Sequence, residues 1–151
     1  MKVERILFPT DFSEGSNHAL HFAVDFAKHY NAKLYILHVI YDVIKANDSH
    51  VPHISADELY KELNKWAIDE IENCYIEEIR ELPDVEKKVV TGIPYEETIK
   101  VASEEKIDII IMGTYGRTGL DRFLFGSTAE RVVRKAPCPV FTVRVPEHRS
   151  K

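Results

Sequence analysis

Two nearly continuous apolar runs, at residues 34–40 and at residues 109–112 within the wider run 107–112, constrain the fold of this 151-residue chain more than any other feature. Neither run alternates regularly between polar and apolar side chains, which is typical of parallel strands buried on both faces. Shorter runs lie at residues 6–8, 88–90 and 140–143, and the third of the five in chain order is polar enough for an edge strand. Helical patterns separate the runs. The chain therefore predicts a single-domain α/β fold, an open parallel five-stranded sheet with helices on both faces.

The intervening segments carry recognisable helix signals. Apolar residues recur at helical spacing between Ala19 and Tyr30. The longest helix is predicted to begin at Ser55, where Ser55 and Glu58 form a capping-box pattern, and to end before Pro83. Its apolar face is predicted to contain Leu59, Leu63, Trp66, Ala67, Ile71, Cys74, Ile79 and Leu82.

Two more helices follow. Pro94 is expected at the first position of one of them, where its missing N–H costs nothing. Ser127 and Glu130 form a second capping-box pattern at the start of the other. The basic residues Arg131, Arg134 and Lys135 follow in that helix, where they complement the dipole towards its C-terminus.

Charge and composition exclude some classes of function. The formal net charge is −5, and no basic stripe interrupts the mixed charges, so a nucleic-acid partner is not expected. Cys74 and Cys138 are the only cysteines and lack metal-ligand spacing, which favours reduced thiols in the cytoplasm. No apolar run is long enough for a signal peptide or a membrane span.

Candidate ligand-binding residues follow the carboxyl ends of the strands, where open parallel sheets bind their ligands. Asp11, after the first strand, is placed to accept a hydrogen bond from a ribose hydroxyl or an adenine amine. Gly113 and Gly116 follow the fourth strand and allow tight turns and close approach of the backbone. Further along, Gly126, Ser127 and Thr128 offer N–H groups and hydroxyls at a helix N-terminus, where the helix dipole favours an anion.

Spacing alone leaves two interpretations of these glycines open. They form either a phosphate cradle, to which Arg117 and Arg122 add positive charge, or ordinary turns followed by a capped helix. No P-loop pattern occurs, and no dinucleotide-binding glycine pattern follows the first strand. His50 and His53 lie three residues apart without a third matched ligand, so no metal site is predicted there.

The chain resembles the universal stress protein family along nearly its whole length. The family's ATP-binding members carry the pattern G-x2-G-x9-G-[ST], which Gly113, Gly116, Gly126 and Ser127 fill without gaps. The opening segment, residues 6–13, is also similar to the family's first strand and loop. The expected family domain is residues 1–146, with residues 147–151 as a short tail.

The resemblance implies a Rossmann-like fold of the adenine nucleotide alpha hydrolase type, with strand order 3-2-1-4-5. It also implies bound ATP, or AMP or ADP, accompanied by Mg²⁺ or Mn²⁺. The residues expected to surround the nucleotide are Pro9, Thr10, Asp11, Val39, Met112, Gly113, Gly116, Arg117, Gly126, Ser127 and Thr128. A homodimer is expected through the last strand, which runs from Val140 to Val145.

Two functional classes remain open from the sequence. One is a nucleotide-dependent regulator in the stress response, whose state an unknown protein partner senses. The other is a slow ATPase or phosphotransferase that uses the same site. The missing P-loop lysine and the lack of an obvious base favour the regulator, because phosphoryl transfer needs a positioned nucleophile and leaving group.

Overall fold

The structure is a computed structural model that describes residues 1–42, 53–115 and 125–146. Within these ranges, strands and helices alternate along the chain. They are β1 (Arg5–Pro9), α1 (Glu14–Tyr30), β2 (Lys33–Tyr41), α2 (His53–Ile79), β3 (Val85–Gly92), α3 (Pro94–Glu104), β4 (Ile109–Gly113), α4 (Ser127–Lys135) and β5 (Val140–Val143). The predicted order of five strands and four helices is therefore confirmed.

All four strand pairings are parallel, and the sheet order is β3-β2-β1-β4-β5, as predicted. The edge position predicted for β3 is correct, although the strand is longer than the predicted run at residues 88–90. Its polar residues have charged partners. Lys87 pairs with Glu72 of α2, and Lys88 lies 2.7 Å from Glu105 after α3.

Each face of the sheet has its own apolar core. Ile6, Phe8, Leu34 and Ile36 point to the face covered by α1 and α2. The alternate residues, Leu7, Tyr35, Leu37 and Met112, point to the face covered by α3 and α4. Because successive side chains alternate across a strand, apolar residues at every position fill both cores at once. The ends of β1, β2 and β4 then meet at one edge between the two layers.

The helix starts differ from the two predicted capping boxes. α2 begins at His53, two residues before the predicted start, so Ser55 lies inside the helix. α4 begins at Ser127 itself, and its N-cap is Gly126, which forms no side-chain cap. Both capping boxes are therefore wrong as N-caps, since an N-cap residue must lie outside the helical conformation. By contrast, Ser13 caps α1 through a 3.3 Å hydrogen bond from the Ser16 N–H.

The predicted apolar face of α2 is only partly buried. Ala67, Ile71 and Ile79 pack into the core, as predicted. Leu59, Trp66 and Cys74 are exposed, contrary to the prediction. Helical periodicity places side chains on one face but does not show where the covering sheet ends. None of the helices in the described ranges has the length and apolar character needed to cross a membrane.

Candidate functional site

One cavity of about 690 Å³ opens at the carboxyl ends of β1, β2 and β4. This volume lies within the range of small-molecule sites, which is about 300–1,000 Å³. The structure brings most of the predicted ligand residues to its wall: Pro9, Thr10, Asp11, Val39, Met112, Gly113, Gly126, Ser127 and Thr128. The other two predicted residues, Gly116 and Arg117, lie outside the described residues.

One side of the cavity is built on a chain of hydrogen bonds from β1 to α2. The Phe12 N–H donates to Thr10 Oγ1 at 3.0 Å, and Thr10 Oγ1 lies 2.6 Å from the Tyr75 hydroxyl. The Tyr75 hydroxyl in turn donates to Asn17 Oδ1 at 2.6 Å. Its single proton is thereby used, so the Thr10 hydroxyl must be the donor to Tyr75. Burial strongly raises the pKa of Tyr75, which keeps the phenol protonated as this chain requires.

Asp11 is held by the start of α1. Its Oδ1 accepts hydrogen bonds from the Ser13 N–H at 3.0 Å and from Ser16 Oγ at 2.7 Å. The carboxylate thus links the end of β1 to the first turn of α1 and still lines the cavity. Its predicted contact with a ribose or adenine remains a prediction, but the side chain already has a fixed orientation in which to make one.

Four aromatic side chains, Phe12, His38, Trp66 and Tyr75, form a cluster that we call the aromatic wall. His38 and Trp66 line the cavity, and Phe12 packs against both of them and against Tyr75. The Phe12 ring centroid lies 4.8 Å from that of His38, 5.6 Å from that of Trp66 and 5.9 Å from that of Tyr75. Phe12 has a φ of 61°, an uncommon value for a bulky residue. His38 Nδ1 lies 2.8 Å from the Thr10 carbonyl, and because a carbonyl can only accept, Nδ1 carries the proton.

Gly113 has a role different from the one its sequence position indicates. Its φ is not positive, so no tight left-handed turn requires glycine there. A Cβ at Gly113 would instead lie 2.8 Å from the carbonyl carbon and oxygen of Gly15 at the start of α1. Gly15 is equally restricted, since its Cβ would lie 2.6 Å from the Tyr115 carbonyl oxygen. These two glycines let α1 pack directly against the end of β4.

The opposite side of the cavity, which we call the α4 wall, consists of Thr114, Gly126, Ser127, Thr128 and Arg131. The Gly126 N–H donates to the Thr114 carbonyl at 2.7 Å, which fixes the start of α4 beside the end of β4. The first N–H groups of a helix have no partner within it, and the helix dipole gives that end a partial positive charge. This wall therefore offers hydrogen-bond donors to an anion.

Thr114 carries a buried polar group without a partner on the α4 wall. The residue is 5% exposed, and its buried Oγ1 has no hydrogen-bond partner in the part of the chain that the structure describes. A buried hydroxyl without a partner costs about 1–3 kcal/mol, so such groups are rare unless a ligand or water satisfies them. Thr114 and the helix N-terminus line the same cavity, so a buried polar group without a partner and a set of helix N–H donors lie on one wall.

Tyr95 of α3 and Arg131 of α4 together border the cavity on a further side. The Arg131 guanidinium carbon lies 4.8 Å from the centroid of the Tyr95 ring, and Lys135 Nζ lies 5.4 Å from it. Tyr95 follows Pro94 at the start of α3, and both residues line the cavity. Arg131 lies in the middle of α4, whereas only Arg134 and Lys135 lie in the last turn, so its predicted role at the C-terminal end of the helix dipole is wrong.

Several cavity residues were missed at the level of sequence: Leu63, Trp66, Tyr95, Thr98, Thr114 and Arg131. Thr114 follows β4 directly, so its position after a strand was an available signal. The helical residues carried no such signal, because their spacing fits a core face or an exposed face equally well. Among the described residues, no group of three or more His, Cys, Asp and Glu side chains is arranged to hold a metal ion.

A family model described as "Universal stress protein family" matches residues 2–144. The chain belongs to the universal stress protein family. Its relatives include Universal stress protein MJ0531 of Methanocaldococcus jannaschii, which is 34% identical over 149 residues, with 95% of this chain and 84% of the relative covered. Universal stress protein MJ0577 of the same organism is 37% identical over 153 residues, with 93% and 94% covered.

Solved structures of universal stress proteins share the fold. The structure of MJ0577 matches with a TM-score of 0.84 at 35% identity and covers 97% of this chain and 99% of its own. A universal stress protein solved in complex with cAMP matches with a TM-score of 0.64 at 25% identity, with 97% and 100% covered. The predicted family and its Rossmann-like fold are therefore confirmed.

Proposed function

We propose that this universal stress protein binds ATP, or AMP or ADP, in the cavity at the ends of β1, β2 and β4. The observation that carries the proposal is the wall formed by the N-terminus of α4 and by Thr114, whose buried hydroxyl has no partner among the described residues, in a cavity that also has apolar walls. A nucleotide has the matching chemistry, since its phosphates need N–H donors and its base needs apolar contacts. The relative solved with cAMP supports the same class of ligand.

The expected arrangement places the phosphates on the α4 wall, at Gly126, Ser127 and Thr128. Pro9, Thr10, Asp11 and Val39 would surround the adenine and ribose, with Met112 and Gly113 beside the ribose. Gly116 and Arg117 stay predicted contacts of the phosphates. A Mg²⁺ or Mn²⁺ ion would be held mainly by the phosphates, because hard divalent cations often keep water ligands and bind through substrate phosphates.

We further propose that the nucleotide regulates a dimeric cytoplasmic protein rather than serving as the substrate of an enzyme. The Asp11 carboxylate is engaged by Ser13 and Ser16, which suits a positioning role. Its place on the cavity wall keeps a slow ATPase or phosphotransferase as the alternative. Phosphate release that is lost in Asp11→Asn while ATP binding persists would favour that alternative.

The dimer is expected to form through the last strand, which was predicted from Val140 to Val145 and which in the structure ends at Val143. One edge of β5 pairs with β4, and its other edge has no strand partner within the described ranges. Phe141 of this strand packs on Phe22 and Phe26 of α1 and is 37% exposed. Light scattering after size-exclusion chromatography tests the dimer, and a monomer at all concentrations would exclude it.

The nucleotide site is tested by Ser127→Glu. A carboxylate at the first position of α4 should stabilise the helix by about 0.3–1 kcal/mol through the dipole. The same carboxylate would occupy and repel the phosphate position, so ATP affinity should fall about 100-fold or more, which corresponds to the loss of two charge-assisted hydrogen bonds. Titration calorimetry with Mg-ATP measures the affinity, and thermal unfolding measures the stability.

Ser127→Ala is the matched control for this experiment. It removes the hydroxyl but leaves the backbone N–H groups and the dipole, so its loss of affinity should be far smaller. If the wild-type protein binds no adenine nucleotide at millimolar concentration, the proposed function is wrong. Equal affinity in the wild type and Ser127→Glu would move the phosphates away from the α4 wall.

A further inference from the structure

We infer that Arg131, held over the ring of Tyr95, makes the cavity selective for nucleotides with more than one phosphate. This inference rests on the proposed nucleotide site and adds a specificity determinant to it. Arg131 lies four residues after Ser127 and three after Thr128 in α4. Residues at these spacings are neighbours on one helix face, so the guanidinium stands one turn beyond the phosphate donors.

Arg131 is the one lysine or arginine of residues 1–42, 53–115 and 125–146 that lines the cavity. It forms no ion pair with a carboxylate in those ranges, so its charge is not neutralised by the protein there. Arg134, one turn further along, instead pairs with Glu130 at 2.9 Å, and its side chain is 72% exposed. The two arginines of α4 thus differ in surroundings, although they share a helix.

The ring of Tyr95 sets the position of the guanidinium. Arginine packs its planar group against aromatic faces, and the contact distance of 4.8 Å falls within the range of cation–π pairs. Tyr95 is itself fixed, since it follows Pro94 in the first turn of α3 and its hydroxyl donates to Glu96 at 2.9 Å. The face of the ring takes none of the N–H donors of the guanidinium, and although the Tyr95 hydroxyl also interacts with Arg131, the remaining donors stay available to an anion.

The charge of the ligand decides what such an arginine selects. The N-terminus of α4 offers only a partial charge and a few N–H groups, enough for one phosphate. A second or third phosphate adds negative charge and needs a further donor, which Arg131 provides one turn away. Adenosine and AMP gain little from it, because a base or a single phosphate can be held by the remaining walls.

The test measures the dissociation constants of ATP, ADP, AMP and adenosine by calorimetry on the wild type, Arg131→Gln and Arg134→Gln. In Arg131→Gln, ATP binding should weaken about tenfold, as for loss of a charge-assisted hydrogen bond. The dissociation constants of AMP and adenosine should change by less than about twofold, so the ratio of AMP to ATP dissociation constants falls about five- to tenfold. Arg134→Gln, the matched control, should keep the wild-type ratio.

The failures are distinguishable. An equal loss for all four ligands, adenosine included, would mean that Arg131 contacts the base, and it would overturn the inference while keeping the nucleotide site. An unchanged ratio in Arg131→Gln would overturn it as well. If the wild type binds none of the four ligands, the proposed function fails, and this inference fails with it.

Tyr95 acts here as a positioning residue and has its own test. Tyr95→Phe keeps the ring and should keep the wild-type ratio of AMP to ATP dissociation constants. Tyr95→Leu removes the ring and should lower that ratio in the same direction as Arg131→Gln. A wild-type ratio in a folded Tyr95→Leu protein would show that the ring does not position the arginine for phosphate.

Discussion

The two walls of the cavity differ in how far their polar groups are satisfied. On the aromatic wall, the Tyr75 hydroxyl has two partners and His38 Nδ1 is bonded to the Thr10 carbonyl. On the α4 wall, the Thr114 hydroxyl has no partner among the described residues, and the first turn of α4 has no side-chain cap. Both walls stand at the same edge of the sheet, so their position in the fold does not explain why the polar groups of one are satisfied and those of the other are not.

The difference suits two separate roles, with contacts to a base on the aromatic wall and hydrogen bonds to an anion on the α4 wall. A satisfied network holds its side chains in one arrangement, which suits a preorganised surface for an apolar base. Unsatisfied donors cost stability in the empty protein and gain partners when an anion binds. Gly113 and Gly15 join the walls, because α1, which begins on the first wall, packs against the end of β4 at these glycines.

The largest effect on stability is expected from Gly113→Ala, which would push the two walls apart. The new Cβ would meet backbone atoms of Gly15 at 2.8 Å, and backbone cannot yield without moving α1. Overpacking of this kind costs about 1–3 kcal/mol. Urea unfolding should therefore show a large loss of stability, together with weaker nucleotide binding.

Gly92→Ala is the matched control for this prediction. Its Cβ would approach the Glu97 side chain at 2.6 Å, and that flexible group can turn away. Gly92 is itself buried, so some cost remains, but we expect Gly92→Ala to lose clearly less unfolding free energy than Gly113→Ala, because a side chain rather than backbone has to move. Equal stability of the two variants would show that Gly113 is not a packing requirement.

An intermediate effect is expected from Tyr75→Phe on the aromatic wall. Removing the hydroxyl leaves the buried Thr10 O–H without its acceptor, at a cost of about 1 kcal/mol or somewhat more. Stability to urea should fall by this amount. The ATP affinity of the folded protein should change by less than about twofold, because this hydroxyl supports the wall from behind and leaves the phosphate donors unchanged. A large loss of ATP affinity without a loss of stability would show that the Tyr75 hydroxyl contacts the ligand and does not merely support the wall.

The smallest effect on stability is expected from Thr114→Val on the α4 wall, and this variant should be more stable than the wild type rather than less stable. Valine has nearly the same shape and removes a buried hydroxyl that has no partner in the described part of the chain, so the empty protein should gain up to about 1 kcal/mol. ATP affinity should fall severalfold at the same time. Destabilisation of the empty protein would mean that the hydroxyl already has a partner, and the contrast between the walls would weaken.

Much of the fold was predictable because the local pattern of apolar residues indicates how each strand is buried. The continuous run at residues 34–40 predicted a strand buried on both faces, and the structure places β2 inside the sheet with apolar cores on either side. The more polar third run predicted an edge strand, which β3 is. The motif of Gly113, Gly126 and Ser127 likewise predicted residues that now line one cavity.

The failures share a physical cause. Ser55 and Ser127 matched the pattern of helix caps. A cap residue must also have non-helical backbone dihedrals, and these depend on the direction from which the chain enters the helix. Trp66 matched the periodicity of a core residue, yet the residue is 42% exposed and lies at the cavity beside Phe12. Periodicity gives the face of a helix, whereas the layer that the face meets is a tertiary property.

The sequence by itself determined the order of elements, the doubly buried strands and the family, since these depend on local burial patterns and a contiguous motif. Only the tertiary structure decided that Gly113 serves the packing of α1 and that Arg131 stands on the ring of Tyr95 at the cavity. These contacts join residues far apart in the chain. Their geometry follows from how the layers pack, which no local pattern specifies.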